Sequence, residues 1–318
     1  MPYEIDFIEY FGDSLDNDAE IRYDHTDTVT VLAQRVGAKE VPGIPAEKYA
    51  DEIITRKIEP IYFSERIRDK AQEAAMNEKF SPGLVLNLQK LNYENGKLKL
   101  KTNNTNYGSV VAARKIIPPE FTESESLSVI NKIAPIGISS IMLSPTNHWA
   151  IIGRRGNVLV GGKWMGYPSA IVNEKSNVHD TLIKEAQEEA CIENVYRDAN
   201  VHLVGISRGR RHAVNPNFNY VIEIDSSFDK IWKGTDKREH DLISTIPLDE
   251  KPFKEYIKEN MFGVTPAGKP YDKLVDVGLA TMLQGGRLQF GNKWFEEFIK
   301  ELSDSPFNVK FENKNPFE

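Results

Sequence analysis

From Val178 to Asn194 the apolar residues Val178, Leu182, Ala186 and Ala190 recur one helical turn apart, with polar residues between them. That spacing predicts an amphipathic helix. Leu84 to Leu91 is apolar with alternation, Asn95-Gly96 follows, and Lys97 to Lys101 alternates Lys with Leu. Asn-Gly suits the left-handed backbone of a type I′ turn, so this stretch predicts a β-hairpin. Ser139 to Leu143 and Trp149 to Arg154 predict strands joined at Pro145 to Asn147, and Val158 to Val160 a third short one. Gly161 to Asn177 reads as irregular. Val201 to Ile206, Asn219 to Ile224 and Leu242 to Ile246 predict further strands. Helices are expected over Pro252 to Met261, Tyr271 to Leu283 and Trp294 to Leu302, and over Ala46 to Asn77 with a break near Pro60.

Strands, a helix, strands and more helices suit a mixed α/β or α+β layered fold. The polar stretch Pro118 to Ser128 begins with two prolines and reads as a domain boundary. The expected division is a smaller α+β accessory domain over 1–120, the main domain over 121–286, and a C-terminal helix and tail over 287–318 packing on it.

Composition narrows the function classes. The 318 residues are 40% hydrophobic and 27% charged, which excludes wholesale disorder. Acidic residues exceed basic ones to give a net charge of −7, so bulk nucleic-acid binding is disfavoured. The one cysteine, Cys191, excludes an intramolecular disulfide framework and cysteine-rich metal sites. The acidic, weakly apolar N-terminus is no secretory signal, and no stretch is long and apolar enough to span a bilayer. A cytoplasmic location is expected. The six histidines are scattered, and Asn157 and Trp164 stand where a P-loop ending at Gly162-Lys163 would need Gly and Ser or Thr.

Candidate chemistry concentrates in the central helix. Glu185, Glu188 and Glu189 stand at i, i+3 and i+4, which puts them on one face. Mutual repulsion there is relieved by a hard cation such as Mg²⁺. On spacing alone a solvated acidic stripe is the commoner meaning, and Glu296, Glu297 and Glu301 form a similar trio.

Context changes the weighing. The helix with the loop before it resembles the box of Nudix hydrolases, a loop–helix–loop in which a glycine, a glutamate and then R-E-U-x-E-E-x-G-U follow at fixed spacing. With Lys184 at the arginine position, Glu185, Glu188, Glu189 and Ile192 match, and Ala170 falls on the first glycine. Lys184 and Ala186 are mild replacements. Ala170, Ser176 and Cys191 depart from the pattern, and the first and last of these replace glycines, so a positive φ there would be strained. The resemblance covers Ile133 to Gly286. It implies an α/β/α sandwich with a mixed sheet, and a pyrophosphohydrolase acting on a diphosphate bond. It implies Mg²⁺, with Mn²⁺ as an alternative, held by Glu185, Glu188, Glu189 and the Ala170 carbonyl. A lesser likeness is to divergent Nudix proteins that split UDP-glucose and carry an extra N-terminal domain.

Two loops complete the expected site. Arg208, Arg210, Arg211 and His212 concentrate basic charge between two predicted strands. They read either as phosphate ligands or as an exposed hairpin tip. Glu239 and then His240 are candidates for a catalytic base, against the plainer meaning of a surface loop. Tyr107, beside Asn103, Asn104 and Asn106, offers a ring face to a nucleoside, or belongs to an ordinary polar loop. Trp164 and Tyr167 are further stacking candidates that serve equally as core.

The resulting expectation is Mg²⁺-dependent hydrolysis of a nucleoside diphosphate linked to another group, such as UDP-glucose. ADP-ribose, a dinucleotide or an RNA cap are other substrates for the same helix. A nucleotide sensor without turnover is a rival of a different class. A scaffold, with the N-terminal domain and the tail serving a protein partner, is a third. Oligomeric state is left open.

Overall fold

The computed structural model describes residues 3–10, 20–30, 32, 57–59, 63–76, 83–94, 97–115, 121–156, 162–210, 215–237, 240–264, 270–307 and 309–317. Its first half contains β1 (Glu4–Tyr10), β2 (Glu20–Thr30), β3 (Lys57–Glu59), α1 (Glu65–Met76), β4 (Leu84–Glu94), β5 (Lys97–Asn106), α2 (Tyr107–Lys115) and α3 (Glu123–Lys132). Next come β6 (Gly137–Ser144), β7 (Trp149–Arg155), β8 (Trp164–Met165), β9 (Ser169–Ile171), α4 (Val178–Ala190), α5 (Val195–Asp198), β10 (Ala199–Gly209) and β11 (Pro216–Ile224). The remainder is α6 (Phe228–Gly234), β12 (His240–Pro247), α7 (Glu250–Met261), β13 (Phe262–Val264), β14 (Pro270–Asp272), α8 (Asp276–Phe290), α9 (Asn292–Asp304) and β15 (Lys310–Asn313).

A large mixed sheet runs β12-β7-β6-β11-β10-β1-β15, with β8 on β7 and β9 on β6. Its strands alternate between two apolar layers, as a period of two requires. Ile138 and Met142 of β6, Trp149 and Ile151 of β7, and Phe218, Tyr220 and Ile222 of β11 enter one layer with Val178, Leu182, Ala186 and Ala190 of α4. Ile141, Leu143, Ala150, Ile152 and Val221 face the other way, onto α7, α8 and α9. All eight residues of β6 are buried, because helices cover both faces of the sheet. The fold is therefore mixed α/β in three layers, as the order of elements predicted.

The smaller sheet, β3-β2-β5-β4, includes the expected hairpin; Asn95-Gly96 themselves lie outside the described residues. The expected division at residue 120 needs correction in three respects. β1 pairs with β10 and β15 and so belongs to the large sheet. Leu86, Leu88, Leu91, Leu98 and Leu100 of the small sheet share the apolar layer around α4. The expected polar linker contains α3, which starts in a Thr122–Glu125 capping box and packs Val129 with Ile67, Val85 and Val110 in a third cluster. Two strands, β8 and β9, lie in the stretch read as irregular. Within the first expected helix, Lys57–Glu59 form strand β3 and the helix starts at Glu65, and within the expected helix from Tyr271 the first two residues belong to β14 and the helix starts at Asp276. Val158 to Val160, and residues 46–56, 60–62 and 77 of the first expected helix, lie outside the described residues. Among the described residues no helix is long and apolar enough to cross a membrane.

The C-terminal helix α9 buries Trp294, Phe295, Phe298 and Leu302 against α7 and α8. The tail goes further than expected: Phe317 enters the layer around α4, and its carbonyl accepts from the Leu91 amide of β4 at 2.8 Å.

Candidate functional site

Buried charge gathers at one end of the large sheet, where β7 ends and β6, β11 and β12 begin. Arg155, the last residue of β7, is the pairing partner of His240, the first of β12. Period two sends Arg154 and Arg155 to opposite faces. Arg154 forks onto Asp241 at 2.8 and 3.1 Å on the exposed face. Arg155 turns inward to Glu189.

Glu189 is 3% exposed. Its Oε2 accepts from the Ser169 amide at 3.1 Å and lies 3.4 Å from His240 Nε2, while Arg155 Nη1 is 3.5 Å from Oε1. His240 is fully buried, its Nδ1 has no hydrogen-bond partner, and its ring meets Tyr167 edge-on at 4.8 Å. Gly153 permits this approach, since a Cβ there would stand 2.3 Å from His240 Nδ1. The Tyr167 hydroxyl donates to the Glu189 carbonyl at 2.6 Å and shares a hydrogen bond with Thr235 at 2.7 Å. Burial pushes the Tyr167 phenol well above its ordinary value, so it stays a neutral donor.

The helix that carries Glu189 begins at Asn177, whose side chain caps the Asp180 amide at 2.8 Å, and ends at Cys191. Cys191 has φ 50° and ψ 38°, so the left-handed turn expected of the box glycine is present without the glycine. Holding a Cβ there costs on the order of 1 kcal/mol.

The three helix carboxylates do not converge, contrary to the shared face expected from spacing. Glu189 points into the protein. Glu188 is exposed and faces Lys184 at 3.6 Å, and Glu185 is half-buried. Among the described residues no three His, Cys, Asp or Glu gather closely enough to hold a metal ion. Glu189 already meets two cationic or ring nitrogens and an amide. As they stand, these side chains do not fit Mg²⁺ or Mn²⁺. Ala170 lies on β9, opposite Ile138 of β6.

The basic loop also needs correction. Arg208 stands on β10 and Arg210 is the residue just after its end, and neither is on an exposed tip. Arg208 is 1% exposed and gives Asp6 two hydrogen bonds of 3.1 and 2.8 Å and Asn131 one of 2.6 Å. Arg210 bonds Asp6 at 3.2 and 2.5 Å and Glu312 at 2.7 Å. Burial lowers the Arg208 pKa. For Arg210 burial acts the same way, but the bonds to Asp6 and Glu312 outweigh it and the net shift is upward. Both serve to join β1, β10 and β15. Arg211, His212 and Glu239 lie outside the described residues.

Tyr107 opens α2 and packs half-buried against the third apolar cluster. Asn103, Asn104 and Asn106 are buried strand residues of β5, not a loop. Asn103 binds Asn87 and Thr30, and Asn106 caps the Ser109 amide. Trp164 is half-buried on β8 against the α8 layer, and Tyr167 is core.

Sequence reasoning missed Arg155 and Arg114. Arg114, near the end of α2, reaches across to the large sheet and donates to Asn215 at 3.3 Å. The available sign for Arg155 was a pair of arginines closing an apolar alternating strand. Nothing in the local sequence marks Arg114.

No protein-family model matches the chain, and no curated protein matches it. Among solved structures, NrtR of Shewanella oneidensis is similar at 10% identity over 53% of this chain and 86% of that one, with a TM-score of 0.25. A score that low carries no argument about fold or activity.

Proposed function

We propose that this chain is a Nudix-type binding domain for a nucleoside diphosphate derivative, held at the end of the large sheet. The observation that carries this reading is the Arg155–Glu189–His240 cluster. It uses the carboxylate that the box assigns to metal, and beside it stands a guanidinium, a group suited to phosphate oxygens. Support also comes from the register of Glu185, Glu188 and Glu189 with the box, the left-handed turn at Cys191, and the helix–sheet–helix layering. Metal-dependent hydrolysis is the second reading, motivated by the register of the three glutamates with the box, and it requires them to converge on a cation, which they do not do as they stand.

Calorimetry with UDP-glucose, ADP-ribose, a dinucleoside polyphosphate and a cap dinucleotide, each with and without Mg²⁺, tests both. Phosphate release after phosphatase treatment is counted in the same samples. The binding reading expects at least one ligand to bind equally with and without Mg²⁺, without turnover. Arg155→Gln then weakens that ligand at least tenfold. Absence of binding by all four ligands overturns the reading, and Mg²⁺-dependent turnover replaces it with the hydrolase.

A further inference from the structure

Among the described residues the large sheet ends in two edge strands, β12 and β15. β15 is short and runs parallel to β1. The amides of Lys310 and Lys314 donate to the Tyr3 and Phe7 carbonyls at 2.8 and 3.1 Å, so the even-numbered residues turn their backbone groups to β1. Strand alternation then turns the N–H and C=O of Phe311 and the N–H of Asn313 outward. Among the described residues no strand pairs with them there.

Lysine and glutamate on an edge strand ordinarily discourage pairing. Here their order makes the edge complementary to itself. Lys310 and Glu312 lie on one face, their side chains 57% and 48% exposed. An antiparallel second copy centred on Phe311 sets each Lys310 opposite Glu312 of the other copy. Centring on Lys310 or on Glu312 would oppose like charges instead. The Phe311 register also agrees with the backbone. It makes Phe311 the hydrogen-bonded pair on the twofold axis, which exchanges the outward N–H and C=O groups. Lys310 and Glu312 then form non-hydrogen-bonded pairs, where Cα atoms stand closest, about 4.5 Å apart. β12 offers no such match, since it contains Asp241 and no lysine or arginine.

The opposite face of β15 has room for a second ring. A cavity of about 430 Å³ has Phe295 and Ile299 of α9 and Phe311 and Asn313 of β15 among its walls. We propose that β15 pairs antiparallel with β15 of a second copy of this chain, joining two large sheets across a twofold axis. Directly opposite residues share a face, so Phe311 of each copy meets the cavity of the other beside α9. Arg155 and His240 stand on β7 and β12, at the other edge of the sheet, and the contact leaves them clear. A four-residue edge is a small contact, of the class that forms transient complexes, so association is expected at micromolar to millimolar protein.

Sedimentation velocity of the full chain over that range tests the pairing. The parent's mass rises toward twice the monomer's. Lys310→Glu and Glu312→Lys each weaken association at least tenfold, because each opposes like charges. Mixing these two single variants restores it, since two glutamates on one copy then face two lysines on the other. Asn313→Pro removes an outward N–H, leaves the Lys314 bond to β1 in place, and weakens association at least tenfold. Lys233→Glu, an exposed charge reversal on α6, changes nothing. The two reversals on β15 also break the contacts of Lys310 with Glu4 and of Glu312 with Arg210 inside each copy. Mixing is therefore the deciding arm, because it restores a contact between copies and none within one. A mixture no more associated than the single variants overturns the proposal, as does a parent that stays monomeric throughout. Association unchanged by all three β15 variants also overturns it and moves the contact to another surface.

Discussion

Asp6→Ala tests the claim that Arg208 and Arg210 belong to the architecture. Asp6 is fully buried and accepts four guanidinium hydrogen bonds, two from each arginine. After truncation Arg210 keeps Glu312 at 2.7 Å and Glu4 at 3.9 Å. Among the described residues Arg208 keeps only Asn131 and the ring of Phe317, 5.5 Å away. The cost is therefore mainly that of one uncompensated buried cation, about 3–5 kcal/mol. Against a total stability of roughly 5–15 kcal/mol, that is about a fifth at the least. Urea denaturation followed by far-UV circular dichroism should show the midpoint falling with the slope unchanged. Asp6→Asn, which retains one acceptor and the shape, should lose about half as much. Adding Arg208→Met to Asp6→Ala should recover most of the loss, since the stranded charge is gone. A loss below about 1 kcal/mol for Asp6→Ala, or no recovery in the double variant, would refute the reasoning.

Two further outcomes follow from the same side-chain environments. Burial pushes the Tyr23 phenol up to about 12, against the weaker pull of the Val178 amide that it accepts. Below pH 10 both states are protonated; from pH 10 to 12 the unfolded phenol ionises first, so stability falls as pH rises. Tyr23→Phe should flatten part of that decline, the buried Tyr167 and Tyr220 supplying the rest, and a variant as pH-sensitive as the parent would contradict the assignment. At Cys191 the left-handed backbone should make Val cost about 1–2 kcal/mol and Gly cost nothing, and equal melting temperatures for the two variants would show the turn is not left-handed.

The periodic segments were legible because burial on one or both faces imposes its own spacing. Val178, Leu182, Ala186 and Ala190 fix α4, and the strands around it follow from alternation or continuous apolar runs. Carboxylate direction was not legible. Glu185, Glu188 and Glu189 share a helical face to within a turn, yet one of them meets Arg155 and His240, which come from strands 34 and 51 residues away in sequence. The same limit misplaced Arg208: a cluster of basic residues between two strands looks exposed until β1, brought from the far N-terminus, supplies Asp6. The left-handed turn at Cys191 was readable from register with the box because backbone geometry is a local property. Pairing across the sheet is not.

β1 has a history that its final position conceals. It precedes both of its neighbours, β10 and β15, in the chain, and Ile5 pairs with Gly209 on one side and Phe311 on the other. Glu4 and its partner Lys310 are 306 residues apart. At the ~5–20 residues per second of synthesis, the second neighbour arrives roughly 15–60 s after the first strand leaves the ribosome. During that interval Tyr3, Ile5 and Phe7 have no completed sheet to enter, and the strand offers an unpaired edge to any other chain. The carboxylate of Asp6 makes the waiting strand less adhesive, and the same group later draws Arg208 and Arg210 into register.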